Sequence, residues 1–530
     1  QQRVLPGFLT SFPGPASAGR VPFSGRKVSQ YFRIAKQHSA CRRVIPLMND
    51  KEFAAEVLTA LPYTANDQQV AVVAALARFC AAPPQPERVF VLNGYAGTGK
   101  TSLTGALVRT LEARKRRAIL MAPTGRAAKV FSANSGGHAA FTIHRKIYRH
   151  AFGAEAERGG PPMPAENKHR DAVFIVDEAS MIGACDERGT SLLDDLIQYV
   201  YSGYNCRLIL IGDTAQLPPV GEERSPAMNP SVLRGLGLKV TSATLTETAR
   251  QAADSGILFN ATRLRRAMAL VAATPKGLTP PVPKLRTAGF DDVTIVEGED
   301  LPEILTGAYD NAENGVADSI LITRSNRRAA EYNAGIRGQV LYREEELARG
   351  DMLIVSRNHY FTGAKPRGIE FVANGDIVTV EQVYGTEARY GLRFADVRLA
   401  FPPPADAPDD TEPVVFETKI MLDTLAAEYP VLPRDGWEKM YYAIMADNDR
   451  FGELPVERRY ASLRTDPYWN ALQVKYAYAV TCHKAQGGQW DNVFVDLSYI
   501  PADALGMTLY RWLYTAVTRA KKHLYLISPP

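Results

Sequence analysis

Gly94-Tyr95-Ala96-Gly97-Thr98-Gly99-Lys100-Thr101 follows the apolar run Val89–Leu92 and leads into Thr101–Glu112, whose apolar residues recur at helical spacing. A buried strand, a glycine-rich turn and a helix in that order make a cradle for phosphate. The glycines let the backbone wrap so that successive N–H groups point inward, and the helix N-terminus adds partial positive charge. In the pattern G-x-x-x-x-G-K-[ST] the lysine reaches the β- and γ-phosphates and the final hydroxyl ligates Mg²⁺. Gly94, Tyr95, Ala96, Gly97, Thr98, Gly99, Lys100 and Thr101 are therefore expected to hold the phosphates of ATP, with Thr101 also on the metal. The competing reading is a chance match in a glycine-rich turn; the strand before it and the helix after it argue against that.

Working outward, Val173-Phe174-Ile175-Val176-Asp177-Glu178 is an apolar strand that delivers two carboxylates at its C-terminal end, where ligand sites of parallel α/β sheets lie. Asp177 is expected to hold Mg²⁺ and Glu178 to orient or deprotonate the attacking water. Taken alone, such a pair could be a surface feature. In the same domain as Lys100 it points to hydrolysis and not to nucleotide binding only.

From about residue 50 short apolar runs alternate with amphipathic stretches, the mark of parallel α/β architecture. Strands are predicted at Val89–Leu92, Ala118–Met121, Val173–Val176, Leu208–Ile211, Ser319–Ile322, Val493–Val495 and Leu524–Ile527, with helices such as Gln69–Phe79 between them. Two stretches break the rhythm. Residues 150–170 are polar and rich in Gly and Pro, and about 346–474 carry β-type runs (Met352–Val355, Ile377–Val380, Val414–Ile420) around the Pro-rich loop Phe401–Pro413. Asn374-Gly375 reads as a tight hairpin turn. The expected organisation is a leader at 1–49, a first α/β domain at 50–250 with a small insertion at about 145–170, and a second α/β domain at 251–345 and 475–530. A β-rich insertion at 346–474 divides that second domain.

Composition bounds the rest. Of 530 residues, 46% are hydrophobic and 22% charged, as in ordinary globular proteins, and no apolar run reaches the roughly 18 residues of a membrane span. Cys41, Cys80, Cys185, Cys206 and Cys482 are scattered without a C-x-x-C pair, which argues against a disulfide framework or zinc site. The net charge of +5 is compatible with a polyanionic partner. Residues 1–49 hold eight Lys or Arg and no acidic residue before Asp50. A basic arm, a transit peptide and translated sequence ahead of a start at Met48 compete there. The compositional break at Met48 favours the last, and mass spectrometry of the native N-terminus decides it.

Later motifs carry a resemblance. Gly212-Asp213-Thr214-Ala215-Gln216-Leu217-Pro218-Pro219-Val220-Gly221, Leu245-Thr246-Glu247-Thr248-Ala249-Arg250-Gln251, Ala479-Val480-Thr481-Cys482-His483-Lys484-Ala485-Gln486-Gly487 and Tyr514-Thr515-Ala516-Val517-Thr518-Arg519-Ala520 resemble motifs III to VI of superfamily 1 helicases, in family order. Ala122–Ala128 and Thr142-Ile143-His144 resemble the motifs after the phosphate loop, and Gln68 sits near the place of an adenine-reading glutamine. The set is similar to the B branch, the RecD-like and Dda-like DNA helicases of bacteria.

The resemblance implies two RecA-like domains clasping ATP, a small pin-bearing insertion in the first (Tyr148 or Phe152 as wedge) and an SH3-like one in the second. It implies that Gln216 senses the γ-phosphate, that Arg250 and Arg519 reach it across the cleft, and that Gln68 and Gly487 join the nucleotide site. Grips on single-stranded DNA fall to Pro123, Thr124, His144, Thr323, Asn326, Thr481, His483 and Lys484, whose groups suit phosphates and read no sequence. ATP and Mg²⁺ are the implied cofactors, and single-stranded DNA and duplex junctions the implied partners. A monomeric 5′→3′ motor in a bacterial cytoplasm, serving repair, recombination or replication, is the implied role. An RNA or RNA–DNA helicase and a DNA-stimulated ATPase that remodels protein partners are the alternatives.

Overall fold

The apolar runs before the glycine-rich loop and before the acidic pair become strands of one parallel sheet, with a single strand between them. The computed structural model describes residues 49–83, 87–148, 164–185, 191–247, 254–274, 280–361, 371–401, 412–452, 454–463, 465–498, 500 and 505–527. Phe152, Arg250, the leader up to Met48 and most of the Pro-rich loop lie outside these residues. The first sheet contains β1 (Arg88–Gly94), β2 (Ala118–Ala122), β3 (Ala140–Thr142), β4 (Val173–Val176), β5 (Arg207–Gly212) and β6 (Lys239–Leu245). Their order is β3-β2-β4-β5-β1-β6, with every pairing parallel. Alternate residues face opposite cores: Val89, Val91, Phe174 and Val176 pack on one side, and Phe90, Leu92, Val173 and Ile175 on the other. Burial on both faces is why these strands read as continuous apolar runs.

A second parallel sheet follows, with β7 (Val293–Val296) and β8 (Ser319–Thr323) from the middle of the chain. The chain then leaves for β9 (Met352–Val355), the short pair β10 (His359–Tyr360) and β11 (Phe371–Val372), β12 (Ile377–Arg389), β13 (Leu392–Phe401), β14 (Val414–Met421) and β15 (Leu472–Tyr476). It returns as β16 (Ala479–Thr481), β17 (Trp490–Asp496) and β18 (Ala520–Ile527), giving the order β16-β8-β17-β18-β7. The architecture is thus two parallel α/β lobes with an insertion in the second.

That insertion is a closed five-stranded barrel, β12-β13-β14-β15-β9. It departs from expectation in three ways. It runs through Tyr476, so the boundary predicted at 474/475 cuts a barrel strand. It is not β-rich throughout: helices Arg434–Met445, Asn448–Phe451 and Val456–Leu463 lie over one end, where Met440, Ile444 and Leu463 share a core with Phe394 and Met421. Asn374-Gly375 does turn, with Gly375 at φ +89°, but not as a hairpin, because β11 pairs with β10 while β12 pairs with β9. The barrel is tied to its lobe at Asp351, which is fully buried. Its carboxylate takes Arg337 at 3.0 and 2.9 Å, Arg343 at 2.6 Å and the Tyr478 hydroxyl at 2.9 Å. Burial alone would raise this carboxyl's pKa, but the Arg337 and Arg343 hydrogen bonds outweigh it and hold it below the usual range.

Candidate nucleotide site and nucleic-acid interface

The glycine-rich loop leaves the C-terminal end of β1, between β5 and β6. Gly97 and Gly99 have φ of +73° and +82°, and a Cβ at Gly99 would lie 2.3 Å from the Tyr63 hydroxyl and 2.7 Å from the Gln69 amide. Only glycine satisfies both the dihedral and the space. Lys100 opens the helix Lys100–Ala113 with its ammonium folded into the loop, donating to the carbonyls of Gly94 and Tyr95. Thr101 lies exposed in the first turn.

The glutamine assignment shifts by one residue. Gln68 Oε1 accepts from the N–H groups of Thr246 and Glu247, and its Nε2 donates to the Thr246 hydroxyl at 2.9 Å. That amide holds 246–247 to the helix Asp67–Ala81. Gln69 is the buried one: its Nε2 donates to the Thr98 carbonyl at 3.1 Å, bracing the loop. It also closes a capping box with Asn66 at the helix start, and that N-x-x-Q signature was readable in the sequence.

Asp177 and Glu178 stand at the end of β4. Burial and the neighbouring Glu178 charge push the Asp177 carboxyl well above its usual range, with Lys100 among the groups acting against the rise. The three charges thus share one site. Glu178 adopts φ +52°, a left-handed conformation that costs a non-glycine residue roughly 1–3 kcal/mol, and Asp177 Oδ1 accepts its N–H at 2.9 Å. The donor set fits the implied groups. The Thr101 hydroxyl and Asp177 carboxylate are hard oxygen ligands suited to Mg²⁺, and the buried Gln216 amide has an oxygen with no hydrogen-bond partner.

Segment 213–223 of the first lobe is gripped by the second. Leu217 N–H donates to the Thr515 hydroxyl at 2.8 Å, and Gln486 Nε2 donates to the Leu217 carbonyl at 2.9 Å. Ala215 and Leu217 are buried in the second lobe's core. Arg265, which sequence reasoning missed, lies over the Tyr95 ring at 4.4 Å and donates to the Thr246 carbonyl. Arg519 is 4% exposed, and its hydrogen bonds run to Thr515, Gly488 and Thr518 within its own lobe. In this conformation it lies at the joint, held by its own lobe. Across that joint Arg126 stacks on Trp490 at 3.9 Å; burial, with Arg519 adding like charge, pushes the Arg126 pKa down to about 10. Gly487 also sits at this joint, close against Thr124 and Ala127.

The nucleic-acid candidates divide. Thr124 caps the helix Gly125–Asn134 through Ala127 N–H at 3.2 Å, and Pro123 precedes it at the end of β2. The His144 ring lies 5.7 Å from that of Tyr148. The Tyr148 hydroxyl donates to Asp195 at 2.6 Å, which holds the suggested wedge against its own lobe. Thr323 is fully buried and donates to the Ser325 carbonyl, a turn role rather than a contact. Asn326, Thr481 and Lys484 do come together, lining a recess between the second lobe and the barrel with Lys475; His483 is exposed beside it.

Burial pushes both lysines down to about 8, with Lys475 adding like charge at Lys484. A lowered pKa means the ammonium is lost as pH rises through about 8, below the ordinary lysine value of about 10.4. With Lys484 on nucleic-acid phosphate, as the sequence resemblance implies, single-stranded DNA affinity is expected to weaken between pH 7 and 9. Lys484→Arg, which keeps its charge, should flatten that slope in anisotropy titrations; an identical slope in the variant discards Lys484 as a phosphate contact.

Comparison with known proteins matches each lobe. Residues 64–274 fit the model of an AAA domain, and 476–527 that of a UvrD-like helicase C-terminal domain. The ATP-dependent RecD2 DNA helicase of Deinococcus radiodurans is 34% identical over 171 residues, 32% of this chain and 21% of that protein. An uncharacterized protein of Methanocaldococcus jannaschii is 39% identical over 64 residues, 12% of this chain and 5% of that protein. The chain therefore spans about a fifth or less of these relatives. Among solved structures, Pif1 helicases at forked dsDNA align over 88% of this chain and 92% of theirs, with 16% identity and TM-score 0.43. The Pif1 helicase of Candida albicans aligns over 88% and 94%, with 16% identity and TM-score 0.38. Fold and site define a two-lobed P-loop protein. The two matched domains, with the ordered motifs, are similar to those of superfamily 1 helicases of the RecD kind.

Proposed function

We propose that the chain is an ATP-driven motor that moves 5′→3′ along single-stranded DNA and separates duplex ahead of it. The observation that carries this reading is the phosphate loop of one lobe lying in direct hydrogen-bonded contact with the other, at Ala96 and Tyr514. Lys100 and the loop N–H groups bind the phosphates, Asp177 and Thr101 hold Mg²⁺, and Glu178 takes a proton from the attacking water. The metal supplies charge neutralisation for the phosphoryl group. Arg250 and Arg519 are assigned to the γ-phosphate in the closed state, which for Arg519 requires release from the Gly488 carbonyl. Cleft opening after hydrolysis then shifts the grips at 123–124 and 144 relative to those at 326, 481, 483 and 484.

The direction of travel rests on kinship with RecD2-type proteins. Duplexes with only a 5′ or only a 3′ single-stranded tail test it: unwinding is expected from the 5′ tail in the presence of ATP. Preference for the 3′ tail rejects the polarity, and ATP hydrolysis without unwinding of either favours remodelling of a protein partner. Preference for an RNA tail would shift the substrate class.

A further inference from the structure

Tyr514 lies on the helix Met507–Val517 of the second lobe and is 1% exposed. Its hydroxyl accepts from the Ala96 N–H of the phosphate loop at 2.8 Å and donates to Asp213 Oδ2 at 2.7 Å. Asp213, also 1% exposed, uses its other oxygen to accept from Ala215 N–H at 2.9 Å. A hydroxyl has one proton to donate, so this one is committed to Asp213 while a lone pair serves the loop. One residue further along the same helix, Thr515 holds Leu217, the neighbour of Gln216. Arg519 follows just beyond the helix end and bonds back to Thr515.

We propose that Tyr514 is a positioning residue that couples occupancy of the phosphate loop to the second lobe, and through it to the grip on DNA. The loop's N–H groups are the ones a phosphate recruits, and one of them is tied to a side chain of the opposite lobe. Any adjustment of the loop around phosphate must therefore be met by the helix Met507–Val517. That helix moves with the Leu217 contact beside Gln216 and with Arg519. The phenol ring fills the joint while the hydroxyl transmits, so the two roles separate in Tyr514→Phe.

This inference rests on the reading that the chain binds both ATP and single-stranded DNA. Coupling is a ratio: the factor by which one ligand changes the affinity of the other is the same in both directions. The experiment measures the Kd of a fluorescent oligothymidylate by anisotropy, with and without a non-hydrolysable ATP analogue and Mg²⁺. In the parental protein the analogue is expected to change Kd at least about fivefold, the low end of usual coupling. In Tyr514→Phe the change should fall below about twofold, while each ligand alone binds within about threefold of parental. A merely structural role would weaken both affinities and leave the ratio. A parental ratio retained in Tyr514→Phe, or no coupling in the parental protein, overturns the proposal. If the parental protein binds neither ligand, the motor reading itself fails. Should Tyr514→Phe lose its thermal transition, Asp213→Asn weakens the same bond from the other side; an unchanged ratio there overturns the proposal equally.

Discussion

Glu178→Gln should still bind ATP and single-stranded DNA while its DNA-stimulated hydrolysis falls by about 10³-fold, within the roughly 10²–10⁴ that a positioned general base contributes. The substitution keeps volume and removes only the capacity to take a proton. Glu178 adopts a left-handed backbone conformation at the end of β4, so the chain turns sharply there instead of extending the strand. Strain of this kind persists where the surroundings enforce it, and here the Asp177 carboxylate holds the Glu178 N–H. Division of labour follows from environment. Asp177, whose carboxyl is pushed up by burial and by the Glu178 charge, would be favoured in its ionised form by a nearby cation, which suits the metal-ligand role proposed for it. In the proposed mechanism Glu178 is left to act on water. In Glu178→Gln one of the two charges acting on Asp177 is gone, so its carboxyl should ionise more readily and Mg²⁺ affinity should hold or rise. Hydrolysis is read by phosphate release with and without DNA, and binding by a fluorescent ATP analogue. Hydrolysis within tenfold of parental would transfer the base role elsewhere.

What could be read from sequence follows burial. The strands β1, β4 and β5 are apolar on both faces and stood out as runs. The edge strand β6, Lys-Val-Thr-Ser-Ala-Thr-Leu, is mostly half-exposed and carries no such signal, so it went unread. The helix Arg434–Met445 had a legible stripe in Trp437, Met440, Tyr441 and Ile444, but the surrounding β-type runs drew it into a β reading. The phosphate loop and the acidic pair are local motifs whose chemistry is written in consecutive residues, and they came together as expected. The joint between lobes is different. Ala96 and Tyr514, Leu217 and Thr515, and Arg126 and Trp490 are hundreds of residues apart, and nothing local to either partner encodes the meeting. Tyr514 and Arg519 share one motif, but a charge advertises a role in sequence and a buried phenol does not. Gln68 and Gln69 are a different case, because the signal that separates them, Asn66 with Gln69 three residues on, is local. Adjacent amides on one helix turn differ only in which one faces the loop, and the capping geometry, not the composition, decides that.

Lys100→Ala is expected to abolish turnover, lowering ATP hydrolysis by at least about 10³-fold, or about 4 kcal/mol of barrier. The lysine is the cation set into the loop itself, with its ammonium on the Gly94 and Tyr95 carbonyls and Asp177 and Glu178 close by. Removing it takes away the loop's own side-chain cation and leaves its backbone N–H groups to carry that part of the phosphate charge beside two carboxylates. Preorganised charge of this kind stabilises a transition state more than a ground state, so the loss should be larger in kcat than in nucleotide affinity. Geometry makes the position exacting as well. A Cβ on Gly94 would lie 2.6 Å from Lys100 Cγ and Cδ, so the lysine stem runs hard against the loop, and the bulkier planar guanidinium of Lys100→Arg should fail too despite its charge. Single-stranded DNA binding in the absence of nucleotide should survive in both variants and fall steeply with salt, as phosphate contacts require. Phosphate release assays and anisotropy on the same preparations separate these outcomes. Hydrolysis by Lys100→Ala within tenfold of parental would mean that the glycine-rich loop is not where the fuel is split, and the assignment of every residue around it would have to be reopened.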